Sequence, residues 1–233
     1  MKDIKKLGII GGMGPLATSL FMKRIVEKTQ AHKDQDHINT IVSNHATLPD
    51  RTEVIKNNKP EEFLSKIDED IKLMEFAKVD NIAIPCNTSH FYFDEIQKMT
   101  NINIINMVDE TIKYIKNNTK FNKIAVLGTY GTMGCRVYDK YALLNGLEVY
   151  SLNEMEEKIS VDSIYDVKEK MILKSEKFNE LLRKLSKENV ISILACTELS
   201  CLDLPIDLEN YYIDAMEVLV EKSIEYSGGK VKS

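Results

Sequence analysis

Two of the four cysteines in this 233-residue chain stand in matching surroundings. Cys86 follows the apolar run Ile82-Ala83-Ile84-Pro85 and precedes Asn87-Thr88, while Cys196 follows Ile191-Ser192-Ile193-Leu194-Ala195 and precedes Thr197-Glu198. Each run is of strand type, and each thiol is followed by small polar residues able to cap a helix. A second pair repeats the pattern: Leu7-Gly8-Ile9-Ile10-Gly11 aligns with Ile124-Ala125-Val126-Leu127-Gly128. The offsets, 110 residues between the cysteines and 117 between the glycine-ended strands, indicate a duplicated half. An unperturbed thiol has a pKa of about 8.5, close enough to neutrality to serve as acid or base. Two thiols facing each other across a pseudo-two-fold axis suit a reaction run from both faces of one carbon. Cys135 and Cys201 lack such counterparts and read as packing residues.

Apolar runs alternate with helical periods through most of the chain. Strands are expected at Leu7 to Ile10, Ile38 to Ser43, Val79 to Pro85 and Ile102 to Asn106, then at Ile124 to Leu127, Leu147 to Ser151 and Val190 to Ala195. Pro15 opens a helix carrying Leu16, Leu20, Phe21 and Ile25 on one face. Further helices are expected around Phe63 to Phe76, Phe91 to Met99, Val108 to Ile115 and after Thr132, with an irregular polar loop at Pro49-Asp50-Arg51-Thr52. Strands apolar on both faces, alternating with helices, call for an α/β fold built of parallel sheets covered by helices. Two pseudo-symmetric flavodoxin-like domains follow, with ligands in the cleft outside the carboxyl ends of the strands. The final segment, Tyr211 to Tyr226, is expected to return to the first half, giving domains of 1–104 plus 212–233 and of 105–211.

Composition excludes several classes of function. The formal charge of −5, with no basic cluster interleaved with aromatics, argues against nucleic acid as partner. Apolar runs are strand-length, so no membrane span is expected. Met1-Lys2-Asp3 leads directly into the first strand, which leaves no room for a signal peptide, and free thiols then point to the cytoplasm.

Other residues carry weaker signals. Gly12-Met13-Gly14-Pro15-Leu16-Ala17 fits the loose dinucleotide pattern, but the second strand ends in Ser43-Asn44 instead of an acidic residue. Those glycines are better read as letting the backbone approach a small ligand, with Met13 overhanging it. Arg51 could grip a carboxylate with two parallel hydrogen bonds, or stand solvated on the surface. His90, four residues after Cys86, either supports the thiolate or hydrogen-bonds within its own helix. A zinc site from Cys86, His90, Cys196 and Cys201 lacks any C-x-x-C or H-x-x-x-H spacing.

With these motifs in hand, the chain resembles the aspartate/glutamate racemase family, and within it the aspartate racemase branch. The resemblance runs through Gly11 to Thr18, Asp34-Gln35-Asp36-His37, Pro49 to Thr52, Pro85 to His90, Ala195 to Ser200 and Ile213-Asp214-Ala215-Met216. It implies cofactor-independent racemisation of an acidic amino acid, with Cys86 and Cys196 as the two acid/base thiols and no metal. Asn87, Thr88, Thr197 and Thr129 would hold the α-carboxylate and ammonium, and Arg51 the side-chain carboxylate. The glutamate racemase branch carries a histidine where this chain has Glu198, which tilts the resemblance toward aspartate or a broader acidic range. The family's lysine after an Ile-Tyr pair falls at Lys168, one residue early, with Lys158 and Lys170 as alternatives. A homodimer is also implied. The competing readings are a hydantoin racemase or maleate isomerase type of enzyme, a non-catalytic acidic-amino-acid binder, and a dithiol oxidoreductase lacking C-x-x-C.

Overall fold

The computed structural model describes residues 5–232; residues 1–4, which include the Met1-Lys2-Asp3 start, and residue 233 lie outside it. In the first half, β1 (Leu7–Gly11), β2 (Thr40–Asn44), β3 (Asn81–Ala83) and β4 (Asn103–Ile105) form one parallel sheet in the order β2-β1-β3-β4. In the second, β5 (Lys123–Leu127), β6 (Glu148–Val149), β7 (Ile191–Leu194) and β8 (Tyr212–Asp214) form another in the order β6-β5-β7-β8. The two orders are the same, so the repeat read from the sequence is a repeat of topology. The central strands β1, β3 and β7 are buried along their whole length, whereas the edge strand β2 is partly exposed. That difference accounts for their near-continuous apolar runs.

The helices are α1 (Pro15–Lys28), α2 (Arg51–Lys56), α3 (Glu61–Phe76), α4 (Phe93–Gln97) and α5 (Met107–Asn118) in the first half. Then come α6 (Tyr130–Gly134), α7 (Asp139–Leu144), α8 (Glu154–Lys170), α9 (Glu176–Lys187) and α10 (Ala215–Tyr226). Successive strand residues face opposite layers. Ile9 belongs to a core shared by both halves, whereas Ile10 joins Phe63, Ile67 and Ile71 of α3. The shared core also takes Phe21 and Ile25 of α1, Ile112 of α5, Val126 of β5, Ile193 of β7 and Leu219 of α10. A third cluster packs Ile164 of α8 and Phe178 and Leu182 of α9 beneath Leu127 and Leu194. Outer helices, sheet, shared helices, sheet and outer helices are therefore stacked in that order.

Three expectations change. The strand of the final segment does not join the first half: β8 pairs in parallel with β7, from Ser192↔Tyr212 to Leu194↔Asp214. Only α10 goes back, packing against α1 and α5 in the shared layer. The reason is partly electrostatic, because Arg24 of α1 meets Asp214 at 2.6 Å and Glu217 at 3.0 Å. Second, the polar loop at Pro49 to Thr52 ends in a helix, since the Asp50 side chain accepts from Glu53 N–H and caps α2 at Arg51. Third, neither thiol is followed directly by an α-helix: a 3-10 turn at Thr88–Tyr92 runs on into α4 after Cys86, and a short 3-10 turn at Leu199–Cys201 follows Cys196.

Gly12 at the end of β1 has φ +93°, and a Cβ there would lie 2.3 Å from the carbonyl carbon of His45. Gly12→Ala is expected to cost about 1–3 kcal/mol in urea unfolding, with an unchanged denaturant slope. Unaltered stability would contradict this packing of β1 against the loop that leads to α2.

Candidate active site

Cys86 and Cys196 emerge at equivalent points, three and two residues past the ends of β3 and β7. Both line one narrow crevice between the halves, of about 20 Å³, in which little more than the centre of a single water fits. Met13, Arg51, Asn87, Thr88, Thr129, Lys168 and Thr197 line the same crevice. Nine of the ten sequence-predicted residues are thus brought together there. Glu198, the tenth, lies directly behind Cys196. A larger cavity of about 430 Å³, near Arg136, Tyr150 and Glu157, is lined by none of them.

The surroundings of the two thiols differ. The carbonyl of Cys86 accepts from Ser89 Oγ at 2.7 Å and from His90 Nδ1 at 2.8 Å. His90 Nε2 in turn accepts the backbone N–H of Met107 at 3.1 Å. An acceptor at Nε2 requires the proton on Nδ1, so the imidazole is neutral. Burial, which pushes its pKa down, favours the same state. His90 therefore braces the main chain of Cys86, and both its ring nitrogens are occupied.

Cys196 faces a charge. Its Sγ donates to Glu198 Oε2 at 2.9 Å, and Glu198 Oε1 lies 3.8 Å from Lys168 Nζ. Burial, and then the Glu198 carboxylate, push the Cys196 thiol well above its ordinary pKa, with Lys168 pulling the other way. Lys168 is itself desolvated, which opposes its charge, but Glu198 and the two thiols outweigh that and raise its pKa. The turn carrying Cys196 is tied down further along. Ser200 Oγ donates to Asp214 Oδ1 at 2.6 Å, and Arg24 Nη2 donates to the Ser200 carbonyl at 2.7 Å.

Donors converge on the crevice from both halves. Arg51 uses Nη1 on the carbonyls of Pro49 (2.8 Å) and Leu48 (3.4 Å), while its buried Nε has no protein partner. Asn87 accepts at Oδ1 from the Tyr138 hydroxyl, and its buried Nδ2 likewise has none. A buried donor left unpaired costs about 1–3 kcal/mol, so two such donors in one crevice mark where an acceptor belongs. The hydroxyls of Thr88, Thr129 and Thr132 lie within 2.8–3.4 Å of one another across the boundary between halves.

Of the three lysines considered, only Lys168 reaches the crevice. Lys158 and Lys170 pair with Asp162 and Asp166 one turn away on the exposed side of α8. Asp50, Thr52 and Tyr165 also line the crevice and were not singled out from the sequence. Their signal was adjacency alone: two flank Arg51, and Tyr165 is the tyrosine of the Ile-Tyr pair.

Among the described residues, no group of three or more His, Cys, Asp or Glu side chains is arranged to hold a metal ion. No helix among them is long and apolar enough to cross a membrane.

The family model for Asp/Glu/hydantoin racemases matches residues 10–223. A broad specificity amino-acid racemase of Bacillus subtilis, RacX, is 30% identical over 224 residues, covering 94% of this chain and 96% of the relative. The solved structure of the Picrophilus torridus aspartate racemase superposes with a TM-score of 0.84 at 29% identity, covering 98% of this chain and 96% of that one. An aspartate racemase homologue from Pyrococcus horikoshii gives 0.78 at 25% identity, covering 96% and 99%. With its repeated sheets and paired thiols in one crevice, the chain belongs to the Asp/Glu/hydantoin racemase family and is a racemase.

Proposed function

We propose that the protein interconverts the enantiomers of an acidic amino acid, aspartate foremost and glutamate next, by two-base proton transfer between Cys86 and Cys196 without a cofactor. One observation carries this reading. Thiols from equivalent positions of two repeated halves line a single crevice that also holds two unpartnered buried donors, Arg51 Nε and Asn87 Nδ2. Two donors call for acceptor-rich groups, and an acidic amino acid has two carboxylates. The aspartate racemase of Picrophilus torridus supports the same substrate class. The breadth of RacX argues for assaying a panel of amino acids.

In this mechanism, one thiolate takes the α-proton, forming an S–H bond and leaving the electron pair on the α-carbon. The opposite thiol then gives its proton to the other face. Asn87, Thr88, Thr129 and Thr197 hold the α-carboxylate and ammonium, which stabilises the enolate-like state as charge moves onto the carboxylate. The edge of Arg51 that bears Nε takes the side-chain carboxylate, with Lys168 beside it and Met13 closing the crevice above. Glu198 keeps the proton on Cys196 between turnovers, so this thiol acts first as acid while Cys86 acts as base. The reverse direction exchanges these roles. A homodimer in the reducing cytoplasm completes the reading, through the resemblance of the sequence and the need for both thiols to stay free.

Cys86→Ser and Cys196→Ser are each expected to lower racemisation of L-aspartate at least about 10²-fold, while exchange of the α-hydrogen with solvent persists slowly from the face that keeps its thiol. Polarimetry and mass spectrometry in deuterated water separate the two outcomes. Full inverting activity in either variant would end the two-thiol mechanism.

The pH profile of kcat/KM should be bell-shaped, falling on the alkaline side when the second thiol ionises. Burial and the Glu198 charge both raise the Cys196 pKa, so removing the charge lowers it. Glu198→Gln is therefore expected to move the alkaline limb to lower pH. A limb that stays in place, or moves up, would show that this limb does not belong to Cys196.

A further inference from the structure

A carboxamide presents two unlike ends, an oxygen that only accepts and an amino group that only donates. Which end Asn87 turns to the crevice decides whether it attracts or repels a carboxylate. Tyr138 belongs to the other half of the molecule, in the segment between α6 and α7, and is fully buried. Its hydroxyl donates to Asn87 Oδ1. That bond occupies the oxygen and leaves Nδ2, buried and without a protein partner, as the free end of a residue that lines the crevice.

We propose that Tyr138 is a positioning residue for substrate binding: it fixes the Asn87 carboxamide so that its N–H groups, and not its oxygen, meet the substrate carboxylate. This rests on the reading of Asn87 as a carboxylate donor. Burial drives ionisation of the phenol far above its ordinary range, so Tyr138 remains a donor wherever the enzyme works. A phenol can accept as well as donate, but here the hydroxyl is the donor and Asn87 Oδ1 the acceptor. The bond also crosses between halves, as does the one between the Thr88 and Thr132 hydroxyls at 2.8 Å. The donor set is thus oriented by the half that carries Cys196, although Asn87 itself follows Cys86.

The test is a double-mutant cycle on the full chain, with kcat and KM for L-aspartate and thermal melts for each variant. Tyr138→Phe keeps the ring and removes only the hydroxyl. It is expected to lower kcat/KM about ten- to a hundredfold, chiefly through KM, as fits a lost bond to a charged group. Asn87→Ala is expected to lose at least as much. In the Asn87→Ala background, Tyr138→Phe should then have almost no further effect, because there is nothing left to orient. Equal losses in both backgrounds, or an unchanged kcat/KM in Tyr138→Phe, would overturn the proposal and leave Tyr138 a packing residue. Asn87→Asp gives a second reading if Tyr138→Phe folds poorly. It can still accept from Tyr138 but places an oxygen where Nδ2 stood, so KM should rise at least as far as in Asn87→Ala; a KM like that of the unaltered protein would contradict the proposal. Should Asn87→Ala itself leave kcat/KM unchanged, the carboxylate role of Asn87 falls and this inference with it. The cysteine variants test the racemase mechanism independently.

Discussion

A carbon can lose a proton from one face and regain one on the other only if two acid–base groups are held across it. In the mechanism proposed here each group is a cysteine from a different sheet, past the carboxyl end of β3 or β7, and the rest of the molecule keeps those two sheet ends opposed. The shared helical layer of α1, α5 and α10 sets their separation by burying apolar side chains from both halves in one core. Arg24, Asp214 and Ser200 then tie α1 to the turn just beyond Cys196. That ion pair is only partly exposed and joins the first half to the second.

Repetition does not make the two sides chemically alike. The environment of Cys86 acts on its backbone, through Ser89 and a neutral His90. The environment of Cys196 acts on its sulfur, through the Glu198 carboxylate and, behind it, Lys168. A thiol beside a buried carboxylate resists ionisation, whereas one beside a cation alone would yield to it. Glu198 therefore favours the protonated form of Cys196, which in the proposed mechanism must give and take a proton in turn. The proposed substrate contacts repeat this division: Asn87 and Arg51 come from the first half, but Tyr138 of the second half is bonded to the former.

How much of this could be read from the residues depended on the range of the interactions. Strands buried on both faces leave unbroken apolar runs, so β1, β3, β5 and β7 and the matched cysteines stood out. Tyr212-Ile213-Asp214 is only three residues long and half-buried, and nothing local tells such a segment which sheet it completes. It is placed by pairing with β7, and its last residue meets Arg24, 190 residues away on α1. The helix after Asp50 was obscured by Pro49, and the turns after the cysteines were too short to be told from helix starts. Lys168 matched a spaced motif only loosely, yet the long regular helix α8 carries it to the crevice and turns Lys158 and Lys170 outward. Tyr138 left no trace at all. A side-chain hydrogen bond between distant segments imposes no period and no local composition.

The central claim is that inversion passes through two separate sulfur atoms, and the fate of the α-hydrogen tests it most directly. Unaltered protein is incubated with L-aspartate in deuterated water, and both enantiomers are separated and weighed by mass spectrometry at low conversion. Two opposed thiols predict D-aspartate carrying deuterium at the α-carbon from the first turnovers, while the remaining L-aspartate keeps its hydrogen. D-aspartate that retains the original hydrogen would mean that one group carried the proton from face to face, and would contradict the account.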